Sequence, residues 1–324
     1  MKESKFNSNE NRDCCVLILG GLGFIGSHLA RTLIKRNYRV KIFDKLYGSR
    51  ELINDFESGI ELVEGDAEKS DDIMKALNDA DIVVHLIHTT VPASSMRNPA
   101  YDVQSNVLSS VRWLSLLNTT KARRIIYVSS GGTVYGIPDY NPIDEKHPTH
   151  PICSYGITKL AIENYTALYS NMYDVDYRIC RPSNVYGPGQ RLNVRQGAIG
   201  EFMLRARKGK DIEIWGDGSV QRDYIYIDDV VDAVVKLLDH NGKGRIFNIS
   251  SGAGASLNSI VEIMQNELNI EFNVRYLKER KFDVHVNILD NSLLKTETGW
   301  KPKTDLSEGI KEVHRWIYSR GKQQ

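Results

Sequence analysis

Cys15-Val-Leu-Ile-Leu19-Gly20-Gly-Leu-Gly23-Phe-Ile-Gly26-Ser-His-Leu29 decides the fold. Five apolar residues in a row read as a buried strand, and Phe24 opens a helical pattern. Between them the glycines, spaced G-x-x-G-x-x-G, let the backbone turn tightly and approach a pyrophosphate. The helix start adds free N–H groups and a favourable dipole. A glycine triplet out of context is as readily an ordinary tight turn. Strand, loop and helix in this order point to a dinucleotide cofactor.

The same rhythm continues outward. Apolar, β-branched runs at 39–43, 60–63, 82–86 and 124–128 alternate with helical patterns at 24–36, 71–77 and 103–117, and a weaker one at 50–56. Near-continuous apolar strands alternating with helices mean a parallel sheet covered on both faces. After Pro148 and Pro151 come a long helix, 154–173, and a strand, 176–180. Beyond Arg181, loops rich in Gly, Pro, Asn and Asp separate helices at 198–208, 227–238, 257–268 and 306–318 and strands at 212–214, 247–249 and 272–276. The expected architecture is α/β. A Rossmann-type doubly wound parallel sheet spans 14–181, and a smaller α/β substrate-binding domain spans 182–324, with some segments returning to the first. Residues 1–13 are expected to be a disordered tail.

Charge narrows the partners. Lys+Arg number 42 and Asp+Glu 41, for a net charge of +1. Without a basic stripe or acidic tail, nucleic acid and membrane surfaces are excluded as partners. Nor does any apolar run reach the roughly 18 residues of a membrane span. Cys14, Cys15, Cys153 and Cys180 show no CxxC spacing, so the reducing cytoplasm is the expected location. No metal is expected. His85 and His88 sit three apart on an extended segment and point to opposite faces, giving a packed His85 and a pocket-lining His88. His147 and His150, set among prolines, receive no role.

The chemistry comes from two further stretches. In Tyr155-Gly-Ile-Thr-Lys159 the tyrosine and lysine lie one helical turn apart and share a face. An ammonium beside a phenol favours the phenolate, which makes a general base. Such pairs also line solvated helix faces. Here Ser129-Ser130-Gly131-Gly132-Thr133-Val134-Tyr135-Gly136 follows the fifth strand, where open α/β sheets bind ligands at the strands' carboxyl ends. A hydroxyl there can bond a substrate oxygen and pass a proton to or from Tyr155. Asp44, about 20 residues beyond the loop, can accept both ribose hydroxyls, and its charge repels a 2′-phosphate. NAD is therefore expected over NADP. Gly65-Asp66 falls near the adenine.

These motifs, together with Arg181-Pro-Ser-Asn184-Val-Tyr-Gly-Pro-Gly189, Gly216-Asp-Gly-Ser-Val-Gln-Arg222-Asp-Tyr-Ile-Tyr-Ile-Asp228-Asp and Arg280-Lys-Phe-Asp283-Val, form an ordered set. Over about residues 16–316 the chain resembles the extended short-chain dehydrogenase/reductase family. It is most similar to the nucleotide-sugar epimerases of the UDP-glucose 4-epimerase type. The resemblance implies that Tyr155 is the catalytic base and that Lys159 holds the nicotinamide ribose while lowering the tyrosine pKa. It implies a cofactor site of Gly20, Gly23, Phe24, Ile25, Gly26, Asp44, Asp66, Ala67, Leu86, Ile87, His88, Asn106, Ser129, Tyr155 and Lys159. Substrate contacts follow at Thr133, Tyr155, Asn184, Arg222, Arg280, Asp283 and Asn287, with both arginines on the diphosphate, which suits their planar fork. A homodimer through helices 103–117 and 154–173 is also implied.

The chain departs from the family where it carries a catalytic Ser or Thr, a place held here by Gly131. Thr133, or after it Ser130 or a water, is expected to bond the 4′-oxygen instead. Related dehydratases carry an Asp-Glu pair where this chain has Gly132-Thr133, and related decarboxylases a glutamate at the Thr133 place, so neither reaction has its proton carrier here. Asn287 stands where some epimerases have a tyrosine limiting the sugar's 2-substituent, leaving room for an N-acetyl group. The expected function is NAD-dependent 4-epimerisation of a UDP-hexose, UDP-N-acetylhexosamine or UDP-uronic acid through a transient 4-keto sugar. The alternatives are an NAD(P)H-dependent reductase of a 4-keto-6-deoxy nucleotide sugar and a non-catalytic NAD-binding regulator.

Overall fold

A computed structural model describes residues 13–45, 49–192, 197–279 and 284–319. Two compact units emerge. The first comprises residues 1–129, 153–180 and 234–245, and the second 130–152, 181–233 and 246–324. The chain thus changes unit at Arg181, and the segment 234–245 returns to the first. Segment 130–152, expected with the first unit, groups with the second.

The first unit is built on β1 (Cys15–Leu19), α1 (Phe24–Lys35), β2 (Arg39–Asp44), β3 (Ile60–Glu64), α2 (Ser70–Leu77) and β4 (Ile82–His85). Next come α3 (Pro92–Ser95), α4 (Pro99–Asp102), a π-helical turn (Val103–Leu108), α5 (Ser109–Leu114), β5 (Arg124–Val128), α6 (Ser154–Tyr173) and β6 (Asp176–Pro182). The central sheet has seven strands, its last being β10 (Ile246–Ile249), in the order β10-β6-β5-β4-β1-β2-β3. Pairs from β3 across to β6 are all parallel, with Leu17 in register with Lys41 on one side and Val83 on the other. Every residue of β1 is fully buried, which is why its sequence is continuously apolar. Because the chain runs outward from β1 to β3 and then crosses to β4 on the other side, the direction switches between β1 and β4. The loops after those two strands open there, where such sheets bind ligands.

Two helical expectations change form. Residues 51–56 are turns followed by a short 3₁₀ segment at Glu57–Gly59, not a helix. The pattern at 103–117 is divided into the π-turn, α5 and a 3₁₀ turn that begins at Leu117. The break has local causes: Ser105 Oγ donates to Tyr101 O at 2.7 Å and Ser110 Oγ to Asn106 O at 2.7 Å, while Asn106 turns inward and is buried. Such π-turns concentrate at functional sites.

Helix α6 has its polarity inverted. Ser154, Thr158, Lys159, Glu163, Thr166 and Ser170 are buried, whereas Ile157, Leu168 and Met172 are at least half exposed. An ordinary surface helix shows the reverse.

In the second unit, β7 (Asn184–Tyr186), β9 (Gln221–Tyr226), β11 (Gly254–Ser256) and β13 (Val286–Asn287) form a small sheet centred on β9. A two-stranded ladder pairs β8 (Ile212–Trp215) with β12 (Val274–Leu277). Helices α7 (Ala198–Arg207), α9 (Leu257–Asn266), α10 (Ser292–Thr298) and α11 (Leu306–Ser319) belong here, and α8 (Ile227–Leu238) runs across the boundary in the chain. Asp223 organises the unit. Fully buried, it accepts from Ser183 Oγ at 2.9 Å, Ser251 N at 2.9 Å, Ser251 Oγ at 2.8 Å and Gly252 N at 3.0 Å. Among the described residues no helix is long and apolar enough to cross a membrane.

Candidate active site

The glycine loop is closed on every side that a side chain would need. Gly20 has φ +88°, and a Cβ there would stand 3.1 Å from Ile87 N. At Gly26 a Cβ would meet Gly20 O at 2.6 Å and Gly21 Cα at 2.7 Å, so the first turn of α1 lies against the loop. Gly23 caps α1 in extended conformation, no side-chain hydrogen bond caps it among the described residues, and the first turn holds no acidic residue. Phe24, Ile25 and Gly26 therefore begin a helix whose first turn carries no acidic residue of its own, which fits a pyrophosphate. Asp44 ends β2 with Oδ2 accepting from Leu22 N at 2.9 Å, which fastens the carboxylate to the same loop. This cradle and carboxylate fit a dinucleotide.

The other expected cofactor residues frame that loop. Leu86 N donates to Leu19 O at 2.9 Å, drawing residues 86–88 alongside β1. Asp66 N donates to Asp72 Oδ2 at 3.1 Å, and Ala67 O accepts from Ser109 Oγ at 3.1 Å. Asn106 is committed within the protein. Its Oδ1 accepts from Thr89 N at 2.8 Å and its Nδ2 donates to Asp102 O at 3.0 Å and Asp102 Oδ1 at 2.9 Å, so it braces the loop after β4. Ser129 is likewise engaged, its hydroxyl donating to Glu163 Oε1.

Tyr155 and Lys159 lie on α6 within the same unit. Lys159 is buried, its Nζ donates to Val128 O at 2.8 Å, and it stands 5.7 Å from the centre of the Tyr155 ring. Burial pulls the Lys159 pKa down to about 7, against Glu163 and Asp102, whose charges push it up. His88 meets Tyr155 edge-on at 4.5 Å, and neither of its ring nitrogens has a hydrogen-bond partner among the described residues. Burial holds its pKa well below the usual value, with Lys159 and His85 adding to the effect, so the ring is neutral. His85 is packed between Trp113 and Tyr127, with its pKa pushed down to about 3 by burial and then by Lys159. Among the described residues no group of three or more His, Cys, Asp or Glu side chains could hold a metal.

The remaining expected residues belong to the second unit. Thr133 Oγ1 is buried with no hydrogen-bond partner among the described residues. A Cβ added at Gly132 would stand 3.9 Å from Asn184 Oδ1 and 4.0 Å from Ser130 Oγ, so these two side chains share one spot. Asn184 Nδ2 donates to Asp223 O at 3.0 Å. Arg222 on β9 is in register with Asn287 on β13, and the buried Asn287 Oδ1 has no partner among the described residues. Arg280 and Asp283 lie outside the described residues.

Residues 16–250 match the NAD dependent epimerase/dehydratase family. The chain belongs to that family. It is 37% identical over 305 residues to a Methanocaldococcus jannaschii protein provisionally named UDP-glucose 4-epimerase, covering 93% of this chain and 98% of that one. A dTDP-4-dehydro-6-deoxyglucose reductase of Escherichia coli is 31% identical, covering 93% of this chain and 97% of that protein. The crystal structure of a Thermotoga maritima UDP-glucose 4-epimerase with UDP-glucose superposes with a TM-score of 0.89 at 32% identity, covering 94% of this chain and 99% of that one.

Sequence reasoning missed Asp102, Glu163, Asp223 and Ser95, whose Oγ accepts from Tyr155 N at 3.0 Å. Asp102 lies four residues before Asn106, and Glu163 four after Lys159, so the shared helical face was a usable signal. Asp223 offered no such signal, because its partners come from 183, 251 and 252.

Gly131, the departure from the epimerase/dehydratase pattern, has a packing cause. Its N–H donates to Pro182 O at 2.9 Å, and a Cβ would meet Leu289 Cδ1 at 2.4 Å and Arg181 O at 3.0 Å. The leucine end can move and the carbonyl cannot move freely. Gly131→Ser is therefore expected to lower stability by about 1–3 kcal/mol, with Leu289→Val recovering part of the loss in a double-mutant cycle followed by urea unfolding. Unchanged stability in Gly131→Ser would show that the loop has room for the family's usual hydroxyl.

Proposed function

We propose that this protein is an NAD-dependent nucleotide-sugar 4-epimerase acting on a UDP-hexose or its N-acetyl or uronic-acid derivative. The observation that carries this reading is the Tyr155–Lys159 pair on α6, in the unit that holds the glycine cradle. Bound NAD would supply reversible hydride exchange with C4′ of the sugar. Tyr155 takes the proton from the 4′-hydroxyl and later returns it, and Lys159, as an ammonium, stabilises the phenolate. Thr133 bonds the 4′-oxygen in place of the missing family hydroxyl, with Ser130 the next candidate. Asn184 contacts the substrate, and Arg222 and Arg280 hold the diphosphate while the sugar turns over. Asp44 sets the preference for NAD. Asn287 leaves space beside the sugar's 2-substituent.

One observation favours a second reading. The likeness to the Escherichia coli reductase spans nearly the whole chain, and a reductase of a 4-keto-6-deoxy nucleotide sugar would use the same pair. Its proton and hydride would leave with the product, so reduced cofactor would be consumed stoichiometrically. An epimerase restores its cofactor each cycle.

Incubating the purified protein with UDP-, dTDP- and GDP-sugars, without added reductant, tests the choice. Interconversion of C4 epimers is expected, with UDP-N-acetylglucosamine accepted about as well as UDP-glucose. Silence across that panel together with NAD(P)H consumption by a 4-keto sugar would establish the reductase instead. A strong preference for UDP-glucose would remove the role given to Asn287.

Thr133→Val should lower turnover by about 10²-fold or more, with binding of the nucleotide part retained. Turnover within a few-fold of the parent would pass the role to Ser130 or to water.

We also propose a homodimer through the exposed face of α6 and the neighbouring 103–108 turn, where Ile157, Leu168, Met172 and Val103 are solvent-facing in the single chain. Ile157→Glu with Leu168→Glu is expected to give a monomer by analytical ultracentrifugation. A parent protein that already sediments as a monomer would refute the dimer.

A further inference from the structure

Asp102 ends α4 with a carboxylate that is 0% exposed. Its Oδ1 accepts from Thr90 Oγ1 and from Asn106 Nδ2 at 2.9 Å. Its Oδ2 accepts from Ser154 Oγ at 2.7 Å and Thr158 Oγ1 at 3.3 Å. Ser154 and Thr158 immediately precede Tyr155 and Lys159, so one anion ties the loop after β4 to the residues beside both members of the pair.

A buried carboxylate is strongly unfavourable unless a positive charge balances it. His88 Nε2 is 3.7 Å from Oδ1, but burial keeps that ring neutral. Among the described residues the remaining cation facing the cluster is Lys159, on which Glu163 and Asp102 both act. Three other titratable groups face the cluster, and burial holds each neutral: the His85 imidazole, the Tyr127 phenol and the Cys153 thiol.

The proton shared by Tyr155 and Lys159 has two placements with the same net charge, phenol with amine or phenolate with ammonium. Surrounding charges decide between them. We propose that Asp102 is a positioning residue for this pair: its carboxylate locks the first turn of α6 and holds the shared proton on Lys159. The inference rests on Tyr155 being the base. It adds a fixed anion, remote from the reacting atoms, that keeps the base in its working form.

The test follows Lys159 by carbon-13 NMR of lysine-labelled protein without substrate, comparing the parent, Asp102→Asn, and Ser154→Ala with Thr158→Val. In Asp102→Asn the Lys159 titration is expected to fall by about half a pH unit or more. The double variant cuts the helix tie and keeps the charge, so its melting temperature should fall while Lys159 titrates as in the parent. An unmoved Lys159 in Asp102→Asn, or an equal shift in the double variant, overturns the proposal. If Asp102→Asn does not fold, the carboxyl carbon-13 shift of Asp102 in the parent decides. Ionisation through neutral pH supports the inference, and protonation there defeats it. With substrate, the alkaline limb of kcat should move to lower pH in Asp102→Asn, with KM within a few-fold. A parent protein inert on every sugar would defeat the epimerase reading and leave the Lys159 titration readable.

Discussion

Burial of Lys159 is the constraint on which the rest of the site depends. A cation enclosed away from water loses its proton unless the surroundings favour the charge, and here burial brings the pKa down to about 7 even with Glu163 and Asp102 pushing it up. A general base that relies on its neighbour's ammonium then needs anions placed where they help the lysine. Asp102 and Glu163 meet that need from different elements, one at the end of α4 and one on the following turn of α6. Each is further held by a hydroxyl, from Thr90 and Ser129 respectively.

That requirement explains why α6 is inside out. A helix that encloses a lysine and a glutamate has less inward face left for aliphatic residues, so Ile162 is buried on α6 while Ile157, Leu168 and Met172 fall on the outside. Its N-terminus is unusual for a related reason. Cys153 at the N-cap makes no side-chain cap hydrogen bond. The first amides are instead met from another segment, Tyr155 N by Ser95 Oγ at 3.0 Å and Ser154 N by Met96 Sδ at 3.4 Å. Capping from outside couples the start of α6 to the short α3, so the position of Tyr155 depends on the loop after β4 and not on α6 alone.

Strands β1, β4 and β5 were legible because burial on both faces writes itself as near-continuous apolar runs, whereas β2 is interrupted by its buried Lys41. The glycine loop was legible because a backbone pressed against Ile87 and Gly21 permits only glycine. The weak 50–56 pattern misled because a few apolar side chains at helical spacing do not outweigh missing caps and packing. Residues 103–117 misled in another way. Period alone cannot show that Ser105 and Asn106 divert their hydrogen bonds to Thr89 and Asp102 and open the helix into a π-turn. The short strands around β9 were illegible because two or three residues carry no period at all. Tyr155, Lys159 and the glycines announce themselves by spacing, whereas Asp223 acts through partners far away in sequence.

Gly131 shows how one packing decision can move a chemical role. The backbone at 131 lies against the carbonyls of Arg181 and Pro182, its own N–H donates to Pro182 O, and a Cβ there would meet Leu289 Cδ1 at 2.4 Å, so a hydroxymethyl fits only if the leucine end moves. The same turn brings Thr133 N and Val134 N onto Ser130 O at 3.3 and 3.1 Å, which winds the segment so that the Thr133 hydroxyl is carried inward. A buried hydroxyl with no hydrogen-bond partner among the described residues is unfavourable by roughly 1–3 kcal/mol, and a substrate oxygen bound there, as proposed for the 4′-oxygen, would remove that cost. Asn287, also buried and with Oδ1 unpartnered among the described residues, follows the same logic on the strand beside Arg222. Among the described residues of this unit, the two orphaned polar side chains thus lie on the segments proposed to meet the sugar and its diphosphate.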